Sequence, residues 1–383
     1  MAPIRAAFVM EQALGHITHY RNLREFTDRQ QDINAVWLPI AYEARGLERL
    51  VPVLRDTWSV RASWRARRAL DSARSRNQVH ALVFHTQVAS LFSIDIMRRI
   101  PSLISLDATP INYDTLGKHY NHRPAGRGLI DRQKYELNRR AFHTAARLVT
   151  WSDWARRSLI DDYGVNGDRV RVLAPGAAAS FFDIGRVRQS GPWRDAAKAP
   201  LRILFVGGDF YRKGGPILLE AMRSPIGGRC ELHVVTQYDD VPAQPNLFVH
   251  RGLEANSPEL LRLFAEADLF VLPTNADCLG LVVMEAAAAG LPIIATDVGA
   301  LSELVRAGET GLIIPVGDVN ALTAALSLLI DDPERRRRMS RAGYAYARLK
   351  FDAKRNNRLL LDLVGELVEA RPVSRRAACL ESC

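Results

Sequence analysis

The sequence predicts an α/β protein made of two doubly wound, Rossmann-like domains of parallel sheet that face a common cleft. Three observations lead there. Residues 268–304 run strand, loop, helix, strand, which is one complete parallel βαβ step. A second strand, glycine-rich turn and helix opens at residues 201–222. The chain has 383 residues, and a single core rarely grows past roughly 250–300.

Composition bounds the classes. Apolar residues make up 48% and charged residues 25%, ordinary for a globular protein. No apolar run approaches the roughly 20 residues of a membrane span, and MAPIRAAFVMEQ carries no signal-peptide cleavage pattern; the expected location is cytoplasmic, with peripheral membrane contact as an option. Cys230, Cys278, Cys379 and Cys383 have no metal-like spacing and read as reduced thiols. The formal charge of +10 favours an anionic partner. Nucleic acid is disfavoured, since zinc spacing, an RNP-type motif and aromatic–basic interleaving beyond residues 58–68 are all missing.

In chain order, residues 4–10 form a buried strand, 11–15 a turn, and 16–26 a helix. His16 and His19 are three apart but lack an acid–His cluster, so they read as ordinary surface or helix-start histidines. Residues 33–38 are a second strand. Residues 58–76 hold six arginines against one aspartate, with Trp58 and Trp64 among them. Two readings stand for this helix: contact with an anionic bilayer, or a solvated face with its tryptophans packed inward. Residues 79–84 and 103–107 are strands, the latter placing Asp107 at a carboxyl end, where it either faces the cleft or caps the next turn. Residues 110–128, rich in Tyr, His, Asn, Pro and Gly, read as a mobile or substrate-covering loop. A strand at 147–151, an N-cap at Ser152 with its helix, and a strand at 170–176 close the first domain. The domain boundaries are therefore 1–185, a linker at 186–200, 201–350, a terminal helix within 351–370 and a frayed tail at 371–383.

The second domain opens on strand 201–206. The loop Gly207 to Gly215 follows, carrying Gly208, Arg212 and Lys213 before a helix. Glycines between a strand and a helix suit phosphate, because free helical N–H groups and the dipole attract anions; the spacing is neither that of a dinucleotide fingerprint nor that of a P-loop. Gly252 and Leu253 begin a later loop. Strand 269–272 then leads to Asp277, Cys278, Leu279, Gly280 and Leu281, a helix holding Glu285, and a stop at Gly290 and Pro292. Gly280 lets a ligand approach the backbone. Two carboxylates beside free N–H groups fit a ligand with both hydroxyls and phosphate. Residues 335–338 read as a solvated charge run, and 351–369 as one long helix.

The acid-x7-acid spacing of Asp277 and Glu285, the alanine-rich helix, Gly290 and Pro292 resemble the retaining glycosyltransferases of family 4, with Asp277 and Leu279 standing where that family usually has Glu and Phe. The resemblance implies the GT-B fold and transfer of a sugar from a nucleoside-diphosphate sugar to a glycan, lipid-carrier or small-glycoside acceptor. It implies Glu285 on the ribose, Asp277 on the sugar, Leu279, Gly280 and Leu281 along the donor, Gly252 and Leu253 beside the base, and Gly208, Arg212 and Lys213 at the diphosphate. It also places Gly15, His16 and Asp107 on the acceptor side, and brings the terminal helix back onto the first domain. The chain contains no Asp-x-Asp; the expectation is that no metal or other cofactor is required, the nucleotide sugar being a co-substrate. Two alternatives remain open: an epimerase or hydrolase of the same fold, and a catalytically weak nucleotide-sugar-binding scaffold.

Overall fold

The computed structural model describes residues 3–370 except 14, 45, 53, 54, 56, 77, 121–123, 127 and 194–198. The tail at 371–383, with Cys379 and Cys383, and part of the expected linker lie outside the described residues. Two six-stranded sheets form, parallel throughout. The first contains β1 (Ile4–Glu11), β2 (Ile33–Ile40), β3 (Ala81–His85), β4 (Ser102–Leu106), β5 (Arg147–Thr150) and β6 (Val170–Val172). Its order is β2-β1-β3-β4-β5-β6. The second contains β7 (Leu201–Val206), β8 (Cys230–Val235), β9 (Leu247–His250), β10 (Leu269–Leu272), β11 (Ile293–Thr296) and β12 (Gly311–Ile314), in the order β12-β11-β10-β7-β8-β9. Helices cover both faces, so central strands such as LFVL of β10 and IIAT of β11 are buried at every residue. This is the GT-B fold.

Each order reverses once. In the first sheet the reversal lies between β1 and β3, in the second between β7 and β10. Loops diverge at such points and leave a crevice at the carboxyl ends of the strands. The turn after β1 and the glycine-rich loop after β7 therefore both open there.

The expected linker at 186–200 needs correction. The helix Ala179–Ser190 is already part of the second lobe: Arg188 donates to the carbonyls of Ala289 at 2.9 Å and Ala267 at 2.8 Å. The chain crosses earlier, at 173–178, and returns beside itself, where Ala177 N–H meets the Phe351 carbonyl at 2.7 Å and Asn356 donates to the Ala174 carbonyl at 2.9 Å. The terminal helix Ala353–Glu369 buries Leu360, Leu361, Val364 and Leu367 against Ala6, Phe8 and Met10 of β1. It is the single helix expected at 351–369, and a separate helix, Pro333–Lys350, precedes it.

The structure also bears on four further expectations. Residues 110–120 are not a loop: Thr109 and Asn112 form a capping box for the helix Pro110–Leu116, and a 3₁₀ turn covers Gly117–Tyr120. Thr109, not Asp107, caps that turn. The run 335–338 is not wholly solvated, since Arg336 is buried and donates to the Ile330 carbonyl at 2.9 Å. In the helix Trp58–Arg76, several arginines have partners within the lobe. Arg61 donates to the Tyr42 carbonyl at 2.6 Å, Arg65 pairs with Glu48, and Arg67 with Asp71 at 2.8 Å. Arg68 lies over the Trp64 ring at 4.7 Å. Arg61, Arg65 and Arg67 thus each have a partner within the lobe itself. No described helix is long and apolar enough to cross a membrane.

Candidate active site

The second-lobe half is two loops laid side by side. Gly214 caps the helix Gly215–Met222 with φ +82°, and a Cβ there would stand 1.9 Å from the Pro273 carbonyl oxygen. Only glycine allows that approach, which presses the glycine-rich loop onto the end of β10. Asn275 N–H and Thr274 Oγ1 then both donate to the Arg212 carbonyl, at 2.9 and 3.1 Å. Lys213 reaches the crevice and pairs with Asp277, the two side chains 13% and 11% exposed. Arg212 has partners within the protein. Its Nη1 donates to the Ala276 carbonyl at 2.8 Å and to the Tyr120 hydroxyl at 3.2 Å, and its Nε to Asp209 at 3.1 Å. Its guanidinium sits 4.5 Å from the Tyr120 ring centroid. Arg212 thus braces the acid loop and meets the first lobe.

The acid helix spans Leu281–Ala288 and starts at Gly280, whose φ of +77° turns the chain sharply into it. Its first N–H groups lack intrahelical acceptors. Leu279 is buried, and Leu281 lies 3.4 Å from where a Cβ on Gly15 would stand, so the helix tip abuts the first-lobe turn. Glu285 is 9% exposed. Among the described residues no donor meets its carboxylate, and burial pushes its pKa up to about 7. Gly208 is exposed, with Gln237 the nearest neighbour its Cβ would meet, at 3.8 Å. Gly252 and Leu253 lie on the loop whose next residues, Glu254 and Asn256, touch Arg21 and Asn22 of the first lobe at 3.1 and 3.0 Å.

The first-lobe half is a buried polar nest at the strand reversal. His16 opens the helix His16–Thr27, and its Nδ1 is 2.7 Å from His85 Nε2 at the end of β3. Its Nε2 is 3.5 Å from Asp107, just past β4. Burial disfavours a charge on His16, but the carboxylates of Glu11 and Asp107 outweigh it and hold its pKa near 9. Burial, together with the His16 charge, lowers His19 to about 3 and keeps His85 far below the usual range. His16 therefore donates from both ring nitrogens, and neutral His85 accepts at Nε2. Burial pushes Glu11 up, and Thr86 donates to it at 2.9 Å. Trp151 stacks on His85 and His16, with centroids 5.2 and 5.5 Å apart. His16 and His19 are thus interior groups, not surface histidines.

The halves meet at Cys278. Burial, then the charges of Asp107 and Asp277, push its thiol well above the usual range. One carboxylate from each lobe therefore flanks the same point. Sequence reasoning missed Glu11, His85 and Tyr120. The first two lie at strand ends, but nothing in the sequence reveals that β3 sits beside β1; Tyr120 was lost in a stretch read as loop.

Residues 194–346 match the model of the family described as glycosyl transferases group 1. The D-inositol 3-phosphate glycosyltransferase of Paenarthrobacter aurescens (strain TC1) is 29% identical over 261 residues, 64% of this chain and 63% of that protein. The protein of the same name from Thermomonospora curvata is 32% identical over 240 residues, 55% of this chain and 54% of that one. The chain spans less than two thirds of the length of these curated relatives. Sucrose-phosphate synthase from Thermosynechococcus elongatus superposes with a TM-score of 0.73 at 17% identity, covering 96% of this chain and 100% of that one. Anabaena HepE in complex with UDP-glucose gives 0.67 at 16% identity, covering 95% and 100%.

Proposed function

We propose, from the premise that the second lobe belongs to the glycosyl transferases group 1, that this protein moves a sugar from a nucleoside-diphosphate sugar to an acceptor hydroxyl. The observation that carries the reading is the Lys213–Asp277 pair at the strand reversal of one lobe, set against Asp107 and His16 at the strand reversal of the other. Breaking the sugar–phosphate bond leaves charge on the diphosphate. Lys213 and the free N–H groups at the tip of the helix Leu281–Ala288 meet that charge, and no divalent ion is needed for it. Ionised Glu285 accepts the ribose hydroxyls, and Asp277 accepts hydroxyls of the sugar. Arg212 contributes by holding Asp277 in place.

On the acceptor side His16 already carries its proton, so it cannot act as base. It fixes Asp107, whose remaining oxygen accepts from the incoming hydroxyl and orients it. The leaving phosphate then takes that proton on the same face of the sugar, with retention at the anomeric carbon. The bound UDP-glucose of one structural neighbour and the inositol phosphate in the names of the relatives make UDP-glucose and polyols the first compounds to try.

The test is a thermal-shift screen of nucleoside-diphosphate sugars, because a ligand that binds only the native state raises Tm. It is followed by a transfer assay with and without chelator. A shift with one donor and chelator-resistant transfer are expected. Loss of all transfer on chelation would overturn metal independence, and free sugar released with no acceptor would mark a hydrolase instead.

A further inference from the structure

Glu303 lies in the second lobe, on the short helix Leu301–Leu304, outside the donor and acceptor groups described above. Its carboxylate crosses to the first lobe. Oε2 accepts the N–H of Asp153 and Oε1 that of Trp154, both at 2.7 Å. These are the opening N–H groups of the helix Asp153–Asp161, which have no intrahelical acceptor and sit at the positive end of the helix dipole. Ser152 Oγ takes the N–H of Ala155 at 3.2 Å. The helix is therefore capped half by its own lobe and half by the other. The Glu303 carbonyl is held in turn by the Tyr346 hydroxyl at 2.9 Å.

Both ends of this contact touch the site. On the first-lobe side the preceding residue, Trp151, stacks on His16 and His85. On the second-lobe side Ala300 N–H donates to the Cys278 carbonyl at 3.0 Å, and Leu301 Cδ2 is 2.8 Å from where a Cβ on Gly280 would stand. The chain of contacts runs from His16 through Trp151, the capped helix, Glu303 and residues 300–301 to the loop that carries Asp277. By contrast the Arg21–Glu254 pair across the cleft is 55% and 74% exposed, and such pairs contribute little.

We propose that Glu303 is a positioning residue, a latch that joins the lobes by capping the first-lobe helix and so sets the distance between Asp107 and Asp277. The consequence for turnover rests on the transferase reading; the latch itself does not. Closing the cleft aligns acceptor with donor, and misplacement by about 1 Å costs as much as roughly 10²-fold in rate. Donor binding, made within the second lobe, is spared.

The test compares Glu303→Ala and Glu303→Gln in the full chain. Gln keeps one oxygen acceptor and loses the charge. Amide exchange at Asp153 and Trp154 should quicken at least roughly tenfold in the Ala variant and less in the Gln variant, following the loss of a charge-assisted pair. Small-angle scattering should show a larger radius of gyration for Ala. In kinetics kcat should fall roughly tenfold to 10²-fold, with the KM for UDP-glucose within about twofold, as expected when an interaction outside the donor site is removed. Unchanged exchange and scattering in Glu303→Ala would overturn the latch. Faster exchange with unchanged kcat would overturn its positioning role. If the parent protein binds no donor, the transferase reading falls, while exchange and scattering still decide the latch.

Discussion

Glu285 gives the sharpest prediction, because burial raises its pKa from an ordinary 4.5 to about 7 with no nearby charge involved. In the proposed reading Glu285 accepts the ribose hydroxyls, so the ionised form is the one that binds donor. At pH 8 about nine tenths of Glu285 is ionised, at pH 6 about one tenth, so affinity should fall about tenfold across that range, or about 1.4 kcal/mol. His16, near 9, stays charged over the window, and His19 and His85 stay neutral. UDP-glucose is the right probe, since its phosphodiester charges do not titrate there. Isothermal titration at pH 6, 7 and 8 should also show proton release at pH 6. Stability moves the other way. The neutral acid is the comfortable form, so the contribution of Glu285 is whole below pH 4.5 and is lost as pH rises towards 7. By pH 8 the loss approaches about 3 kcal/mol. Glu285→Gln should therefore melt higher than the parent at pH 8 and alike at pH 4, while binding UDP-glucose weakly and without pH dependence. A parent whose affinity is flat from pH 6 to 8, or a Gln variant no more stable at pH 8, would refute the reasoning.

Two other substitutions test the same lobe. Lys213→Ala should lower kcat roughly 10²–10³-fold; it should also destabilise, since Asp277, 11% exposed, loses its partner. Adding Asp277→Asn should restore the melting point but not the turnover, and turnover near the parent value in either variant would remove Lys213 from the leaving-group role. Gly214→Ala forces φ +82° on a side chain and drives its Cβ to 1.9 Å from the Pro273 oxygen; urea unfolding should show a loss of about 2 kcal/mol or more, and a parental midpoint would show that the two loops are not pressed together.

What could be read in the sequence was local. The strand 269–272, the turn at Gly280 and the helix carrying Glu285 follow from apolar run, breaker and period within twenty residues. The site's second half did not follow in the same way. Glu11 and His85 end β1 and β3 and Asp107 directly follows β4, and their meeting depends on the order β1-β3-β4, which no local pattern encodes. The linker was misplaced for a related reason. Residues 183–199 lose hydrophobic periodicity, but the helix Ala179–Ser190 is held by Arg188 reaching carbonyls roughly a hundred positions away, a tertiary contact that overrides composition. For the basic helix 58–76 the sequence left two readings, a bilayer-facing helix or a solvated face; the partners of Arg61, Arg65 and Arg67 are carbonyls and carboxylates of their own lobe, which local composition does not encode.

The two walls of the cleft share one electrostatic design, and it bears on the order of events. Each presents a carboxylate already held by a cation of its own lobe, Asp277 by Lys213 and Asp107 by His16. An isolated buried carboxylate is costly, so these pairings keep the empty site folded. In the proposed reaction an arriving diphosphate competes for Lys213 and outbids a single carboxylate by charge. Asp277 then turns its oxygens to the sugar hydroxyls, exchanging one partner for several. His16 has no such rival, because the acceptor brings a neutral hydroxyl, so the His16–Asp107 pair persists and continues to orient it. Donor binding therefore remodels one wall and leaves the other intact, which favours donor before acceptor. Product inhibition by the free nucleoside diphosphate should then be competitive with donor and not with acceptor.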